Sequence, residues 1–241
     1  MNDVRWDFGG RAVLVTGVGR TGQIGHAVAR AFGLAGACIV ICDRDAVAVA
    51  ERAREFLAEG IDARPAAGDL TEPDVAQLAV EMSMRHFGRL DVVVNVAGGL
   101  TTYGPIATTT EQDFDREIAI NLKTTFLVSQ AAVPRLAKAG GCIVNVASIA
   151  YFQPTSPMAV YTAAKAAVAG FTRSLAHELR GSVRVNAIAP AMVRTTDNVA
   201  SAGAEATYVE MDHITDGVLF LASPAAAAIT GHILPITRGQ L

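Results

Sequence analysis

Short apolar runs alternate along the chain with longer stretches whose apolar positions recur every three or four residues. The first run, Ala12–Thr16, is apolar without alternation and ends at glycines, which predicts a strand buried on both faces. Ile24–Leu34 follows with Ile24, Val28, Ala31 and Phe32 at helical spacing, continued by Ala35. Residues 37–42 read as a second strand. Asp45 can cap a helix over 45–59, which Gly60 stops. Ala63–Ala67 is a third strand, Pro73–Phe87 a helix and 91–95 a fourth strand. Residues 111–136 read as one long helix, kinked near its end by Pro134. A fifth strand over 142–147, a helix over 158–179, a sixth strand over 183–188, a short helix over 212–221 and a last strand over 232–236 complete the pattern. The alanine-rich residues 224–228 read as a turn.

This alternation has no break in composition, no repeat and no linker. It predicts an α/β chain with residues 1–241 in a single doubly wound Rossmann-type domain, a parallel seven-stranded sheet with helices on both faces. In such sheets ligands bind beyond the carboxyl ends of the strands, where the strand order reverses.

Composition narrows the functional classes. Apolar residues make up 51% of the chain and charged residues 18%, which suits a filled core. A net charge of −3 gives no reason to expect nucleic acid or an anionic membrane as partner. Residues 1–10 lack the apolar run of a secretory signal, and no stretch approaches the ~20 apolar residues of a membrane span. Cys38, Cys42 and Cys142 fit neither a zinc site nor a disulfide framework, and read as small buried hydrophobes in a reducing cytoplasm. The five histidines are scattered without metal spacing, so no metal is expected.

The candidate chemistry falls at the predicted strand ends. After the first strand comes Thr16-Gly17-Val18-Gly19-Arg20-Thr21-Gly22-Gln23-Ile24-Gly25. Glycines let the backbone turn sharply and approach a pyrophosphate, and the helix that follows aims its N–H groups at the anion. Asp43 closes the second strand, where a carboxylate can accept from both adenosine ribose hydroxyls and repel a 2′-phosphate, favouring NAD. Arg44 beside it could clamp that phosphate, which leaves NADP possible. Tyr161 and Lys165, four apart on a helix, share a face, and an ammonium beside a phenol lowers its pKa toward the range where acid–base work is efficient. Ser148, after the fifth strand, can donate to a carbonyl oxygen. Asn121 sits inside the long predicted helix, where Asn is a poor helix former, and opening the helix locally to a water would account for it.

Taken together, these segments resemble the short-chain dehydrogenase/reductase family over essentially the whole chain. The resemblance rests on the glycine turn, Asp69-Leu70, Asn95-Val96-Ala97-Gly98, Asn121, Ser148, Tyr161/Lys165 and Asn186-Ala187-Ile188-Ala189-Pro190, in order and spacing. It implies an oxidoreductase that moves a hydride between a nicotinamide cofactor and a carbonyl or secondary alcohol. By the resemblance Tyr161 is the general acid/base, Ser148 orients the substrate oxygen, Lys165 binds the nicotinamide ribose and depresses the Tyr161 pKa, and Asn121 holds a water of a proton relay. Gly17, Gly19, Gly22, Gln23 and Ile24 would cradle the cofactor, with Asp43 and Arg44 at its ribose and Asp69 and Leu70 at its adenine. Asn95, Ala97, Gly98, Pro190 and Val193 would line it, and Thr195 would contact the carboxamide. The resemblance also implies a homotetramer through helices 111–136 and 158–179, whose small outward positions would be Ala131, Ala132, Ala163, Ala166, Ala167 and Ala169.

The chain departs from the family pattern in places. The glycine turn is two residues longer between Gly17 and Gly25, as in the divergent enoyl-reductase branch, although the Tyr–Lys spacing is not of that branch. Ala191 stands where the family usually has Gly, which predicts φ < 0 there. The end reads Pro235-Ile236-Thr237-Arg238-Gly239, not an acidic glycine pair. The segment 196–211 is short and poor in apolar bulk, which predicts a mobile stretch over 199–206 and a shallow, solvent-open substrate site. Two other readings compete: a reductase of carrier-linked 3-oxoacyl groups, and a non-catalytic cofactor-binding module.

Overall fold

The apolar runs pair edge to edge in the computed structural model, which describes residues 6–239. β1 (Ala12–Thr16), β2 (Cys38–Asp43), β3 (Ala63–Ala67), β4 (Val92–Asn95), β5 (Cys142–Val146), β6 (Arg184–Pro190) and β7 (Ile233–Ile236) form one parallel sheet. Its order is β3-β2-β1-β4-β5-β6-β7, so the chain changes direction across the sheet between β1 and β4. Ligands are expected at that crevice.

Both faces of the sheet are covered, which is why its strands are apolar without alternation. Along β1 and β2, Val13, Val15, Ile39 and Ile41 point into one core layer with Phe8, Val28, Phe32 and Phe56. Their neighbours Leu14, Val40 and Cys42 enter the opposite layer with Val80, Leu127, Leu136 and Ile143. Phe8 and Phe32 meet edge to face at 4.8 Å. Cys42 and Cys142 are buried, and burial pushes their thiols up to about 12 and about 11, which leaves them unreactive. Cys38 is only partly covered.

The helices begin and end where local chemistry demands. α1 (Ile24–Leu34) follows the glycine turn. α2 (Ala46–Ala58) starts at Asp45, whose carboxylate accepts from the N–H groups of Val47 and Ala48 at 3.0 Å each. α3 (Pro73–Phe87) opens with proline and closes on Gly88 at φ 71°.

The long predicted helix is three pieces. α4 (Glu111–Ile118) starts on a Thr110/Asp113 capping box. A π turn spans Ala119–Lys123, and α5 (Thr124–Ala139) continues from it. Side chains occupy the carbonyls at the break. Asn121 Nδ2 donates to the Glu117 carbonyl at 3.0 Å, and the Thr124 and Thr125 hydroxyls donate to the Ile120 and Asn121 carbonyls at 2.8 Å each. Pro134 lies within α5, which runs on to Ala139, so the interruption falls at Asn121 and not at the proline.

α6 (Ala159–Glu178) lies beside β5 and β6, and a later helix, Met211–Ala222, packs on α1. Two positions expected to face outward do not: Ala132 and Ala169 are buried in the core. Ala163 and Ala166 are exposed as expected.

The stretch after β6 also departs from expectation. Ala191 does have negative φ. α7 (Thr196–Ala202), capped by the Thr195 hydroxyl, runs into the 199–206 stretch, and Met211–Ala222 follows it as α8. Tyr208 is fully buried beneath α7, and its hydroxyl donates toward the carbonyls of Asn198 and Gly203 at 3.1 and 2.6 Å. Arg194 lies over the Tyr208 ring at 4.6 Å and pairs with Glu210. A short parallel bridge joins Val193 to Val209. One buried aromatic with its hydroxyl satisfied thus does what the scarcity of aliphatic side chains in 196–206 argued against.

α7 is also clasped to the glycine turn. Arg20 reaches Asp197 through two hydrogen bonds of 3.1 and 2.6 Å. The Thr196 N–H donates to the Gly22 carbonyl at 3.1 Å, and Gln23 Nε2 donates to Thr196 Oγ1 at 2.7 Å. A groove of about 540 Å³ runs between them, lined by Ala27, Thr195, Val199 and Met211 among others.

Phe32→Ala should cost ~3–5 kcal/mol, because the ring fills a fully buried site between α1 and Phe8. A urea unfolding midpoint close to that of the parent would contradict this. The clasp predicts a different pattern. Arg20 and Asp197 are both exposed, so Asp197→Ala should change global stability by less than ~0.5 kcal/mol. It should nevertheless speed amide hydrogen exchange across Thr196–Ala202, as should Arg20→Ala, and unchanged exchange there would show the ion pair to be idle.

Candidate active site

The carboxyl end of β1 is stitched to that of β4. Thr16 Oγ1 accepts from the N–H groups of Val96 and Ala97 at 3.0 Å each. This draws the backbone at Gly17 against Ala97, where a Cβ on Gly17 would lie 3.0 Å from two backbone atoms. Gly17 has φ 74°, which a side chain would disfavour in any case. The turn then folds back on itself: a Cβ on Gly25 would meet the Gly17 carbonyl oxygen at 2.1 Å. α1 therefore begins directly above the turn. Its N-cap, Gln23, makes no side-chain capping bond, and its first turn carries no acidic residue. Those N–H groups face an approaching anion without competition.

Asp43 lies at the edge of this cradle, with its carboxylate packed on Gly19, where a Cβ would come within 2.7 Å of it. Arg44 is exposed. Asp69 lies across from it, held below the ordinary carboxylate range by the Thr71 N–H at 2.9 Å, with a contribution from the Arg44 guanidinium. Leu70 is buried beside it. The cradle thus fits the dinucleotide expected of it: a close-approach glycine turn, unclaimed helix N–H groups and a carboxylate at the end of the neighbouring strand.

The second half of the site is built on β5, α6 and the π turn. Ser148 follows β5 and is buried, and its Oγ accepts from the Ala150 N–H at 3.2 Å. Tyr161 and Lys165 share one face of α6, with Lys165 Nζ 5.9 Å from the centre of the Tyr161 ring. Lys165 is buried and donates to the Val146 carbonyl at 2.9 Å, which ties α6 to the end of β5. Burial lowers the Lys165 ammonium to about 8, against which the Glu117 carboxylate acts to raise it. Burial also pushes the Tyr161 phenol up; the Ser148 hydroxyl pulls it down, and Glu117 adds to the upward push. The Tyr161 phenol is therefore raised by its burial, where its lysine was expected to lower it.

Asn121 is buried and fully engaged. Its Oδ1 accepts from the Gly99 N–H at 3.0 Å, and its Nδ2 donates to the Gly99 carbonyl at 2.9 Å and to Glu117 Oε1 at 3.0 Å. Gly98 carries φ 133°, and a Cβ there would lie 2.6 Å from Asn121 Oδ1. Asn95 stands at the end of β4, buried, donating to Asn145 and Ser129. Pro190 and Val193 are buried at and after the end of β6. Thr195 commits its hydroxyl to the Asn198 N–H at 3.1 Å, capping α7.

Two contributors are not evident from the sequence. Thr16 fixes the β1–β4 junction, and a threonine closing a strand gives no sign of it. Glu117 is fully buried next to Asn121. Its position four residues before Asn121 in a helical pattern is the available signal, but that position reads equally as a solvated charge.

Comparison with known proteins agrees with this geometry. The short chain dehydrogenase family profile matches residues 11–206. Tropinone reductase-like 3 of Erythroxylum coca is 30% identical, over 96% of this chain and 93% of its own length. The 3-oxoacyl-acyl-carrier-protein reductase of Thermotoga maritima is 32% identical, over 95% of this chain and 97% of its own. Among solved structures, a 7α-hydroxysteroid dehydrogenase complexed with NADH and 7-oxo glycochenodeoxycholic acid superposes with a TM-score of 0.90 at 28% identity, covering 99% of this chain and 97% of its own. No helix among the described residues is long and apolar enough to cross a membrane. The glycine cradle, the Tyr161/Lys165 face and these likenesses lead to one assignment: the chain belongs to the short-chain dehydrogenase family of nicotinamide-dependent oxidoreductases.

Proposed function

We propose that the protein interconverts a small-molecule secondary alcohol and its carbonyl with NAD, and that Tyr161 is the general acid/base. The observation that carries this reading is that Tyr161, Lys165 and Ser148 come together where β5 ends, at the same carboxyl edge of the sheet as the glycine turn. When bound, the nicotinamide supplies or accepts the hydride. The chain's own residues position the substrate and manage its proton. Ser148 Oγ, fixed after β5, is a donor for the substrate oxygen. The Tyr161 phenol, held protonated by its buried setting, is the proton donor to that oxygen in the reducing direction. Lys165 provides the positive charge that stabilises the phenolate left behind.

For the cofactor, Asp43 favours NAD, since its carboxylate packs on the turn while Arg44 extends into solvent. A reductase of carrier-linked 3-oxoacyl groups is the second reading, supported by the Thermotoga maritima relative. Homotetramer formation through α5 and α6 belongs to the same reading, supported by exposed Ala163 and Ala166.

Tyr161→Phe should lower turnover by at least ~10²-fold in a cofactor absorbance assay over a panel of carbonyls, with NADH binding nearly unchanged. A folded Tyr161→Phe protein that keeps its activity would sink the mechanism. Asp43→Ser should move preference from NAD toward NADP, read as the ratio of kcat/KM for the two. A parent protein that already prefers NADP would make Arg44 the determinant instead.

A further inference from the structure

Three loops leave the sheet side by side at its carboxyl edge, because β4, β5 and β6 are parallel neighbours. They are residues 96–110, 147–158 and 191–195. The first two contain no Asp, Glu, Lys, Arg or His. They hold large apolar side chains in the open instead: Leu100, Tyr103, Ile106 and Phe152, joined by Met192 on the third loop. Tyr103 and Ile106 are each 68% exposed, so little of the chain covers them.

The loops are tied to the candidate site. Gly104, next to Tyr103, donates its N–H to the Pro157 carbonyl at 3.1 Å, which bonds the first loop to the backbone entering the Tyr161 helix. Phe152 lies four residues after Ser148, and its ring meets that of Tyr151 at 3.9 Å. Met192 follows the end of β6, and its carbonyl accepts from the Val209 N–H at 2.8 Å. A substrate whose oxygen reaches Ser148 and Tyr161 therefore has its body among these loops.

What the loops lack also selects. Every threonine of the first loop engages its hydroxyl within the chain: Thr101 with Glu117, Thr102 with the Asp113 carbonyl, Thr108 and Thr109 with the Pro105 carbonyl, and Thr110 with the Asp113 carboxylate. Neighbouring cations are occupied as well. Arg194 pairs with Glu210, Arg238 reaches the same carboxylate, and Arg20 pairs with Asp197. Lys165 is buried on the Val146 carbonyl. Arg173 is twelve residues past Tyr161, about 18 Å further along α6. A carboxylate or phosphate brought among these loops would lose water without gaining a partner.

We propose that the site takes a neutral carbonyl or alcohol with a large apolar body, and not a charged acid, a phosphorylated compound or a polyol. The inference rests on the reaction proposed above and narrows it. It also weighs against the carrier-linked reading, since the phosphate of a carrier tether would find no charge on either of the first two loops.

Calorimetry on the full-length protein with NAD present reads binding without turnover. 2-Octanone has four methylenes more than 2-butanone, and each gains ~4-fold when it leaves water, so 2-octanone should bind at least ~10-fold more tightly. 7-Oxooctanoate has the same chain ending in a carboxylate, and should bind at least ~10-fold more weakly than 2-octanone. Equal binding of the two ketones, tighter binding of the acid, or no detectable binding of 2-octanone overturns the proposal.

Ile106 is exposed, so Ile106→Ser should fold. It should lower the affinity ratio of 2-octanone to 2-butanone by ~3-fold or more. Leu57→Ser, at an exposed apolar position on α2, should leave that ratio in place. An unchanged ratio in Ile106→Ser overturns the proposal, and a smaller particle in light scattering would then assign the residue to a contact between copies of the chain. The two readings fail separately. If 2-octanone binds as expected but is not reduced with NADH, the reaction falls and the binding class stands. If charged acids or polyols are turned over in preference, the reaction stands and the class falls.

Discussion

A chain of buried hydrogen bonds across the middle of the sheet holds the site together. Asn95 and Asn145 are register partners on β4 and β5, and Asn95 Nδ2 donates to Asn145 Oδ1 at 2.9 Å. At one end Asn95 also reaches Ser129 of α5 at 3.2 Å; at the other, Asn145 Nδ2 donates to Thr172 of α6 at 2.9 Å. Each of these side chains is buried, so leaving one unpaired would cost ~1–3 kcal/mol. Hydrophobic packing alone would let a helix slide along the sheet by a fraction of a turn, whereas these bonds fix its height. Lys165 lies seven residues before Thr172, on the same face of α6. The pin at Thr172 therefore sets where Lys165, and Tyr161 one turn further on, meet the end of β5. On the other side, Ser129 anchors the helix that leads from the π turn.

A second constraint governs the cofactor half. The glycine turn must leave β1, press its backbone against β4 and return to start α1, and Gly17 and Gly25 are the positions where any side chain would obstruct this. The additional length of the turn does not loosen it. It carries Arg20 outward to Asp197 and brings Gly22 and Gln23 against Thr196. The ion pair is exposed and therefore weak. Most of what keeps α7 in place is the buried Tyr208 with its two carbonyl partners.

The sheet, its strand count and most helix limits were legible in the sequence because a continuous apolar run closed by glycine suits a buried strand and little else. β3 and α3 fall within their predicted bounds, and Asp45 caps α2 as its side-chain chemistry requires. The candidate catalytic positions were legible as a constellation, since Ser148, Tyr161 and Lys165 converge through β5 and α6. What escaped depended on tertiary partners. The break at Asn121 needs Gly99 and Glu117, from a loop and the preceding turn, to take up its amide. The seating of α7 depends on one buried tyrosine, whose hydroxyl meets the carbonyls of Asn198 and Gly203. Ala132 and Ala169 were placed outward by helical phase, yet alanine is small enough to sit on either side of a helix without marking which one.

Buried charge is the recurring difficulty of this architecture. The reaction proposed above needs a cation near a phenol, and it needs water kept away from both. Burial alone would satisfy the second requirement and defeat the first, since it lowers Lys165 and raises Tyr161 together. The ammonium and the phenolate that it stabilises would then seldom coexist. The chain meets this conflict with fixed groups already in place before any ligand arrives. The Val146 carbonyl holds one proton of the ammonium. The Ser148 hydroxyl lowers the phenol. The Glu117 carboxylate, held by Thr101, Thr102 and Asn121, acts to raise the lysine. Such groups need no reorganisation at the moment of proton transfer, which is the advantage of an ordered polar interior over solvent. The same carboxylate also raises the phenol, so the arrangement favours a protonated tyrosine beside a protonated lysine. On the reaction proposed above, that is a resting state able to give a proton to a carbonyl oxygen.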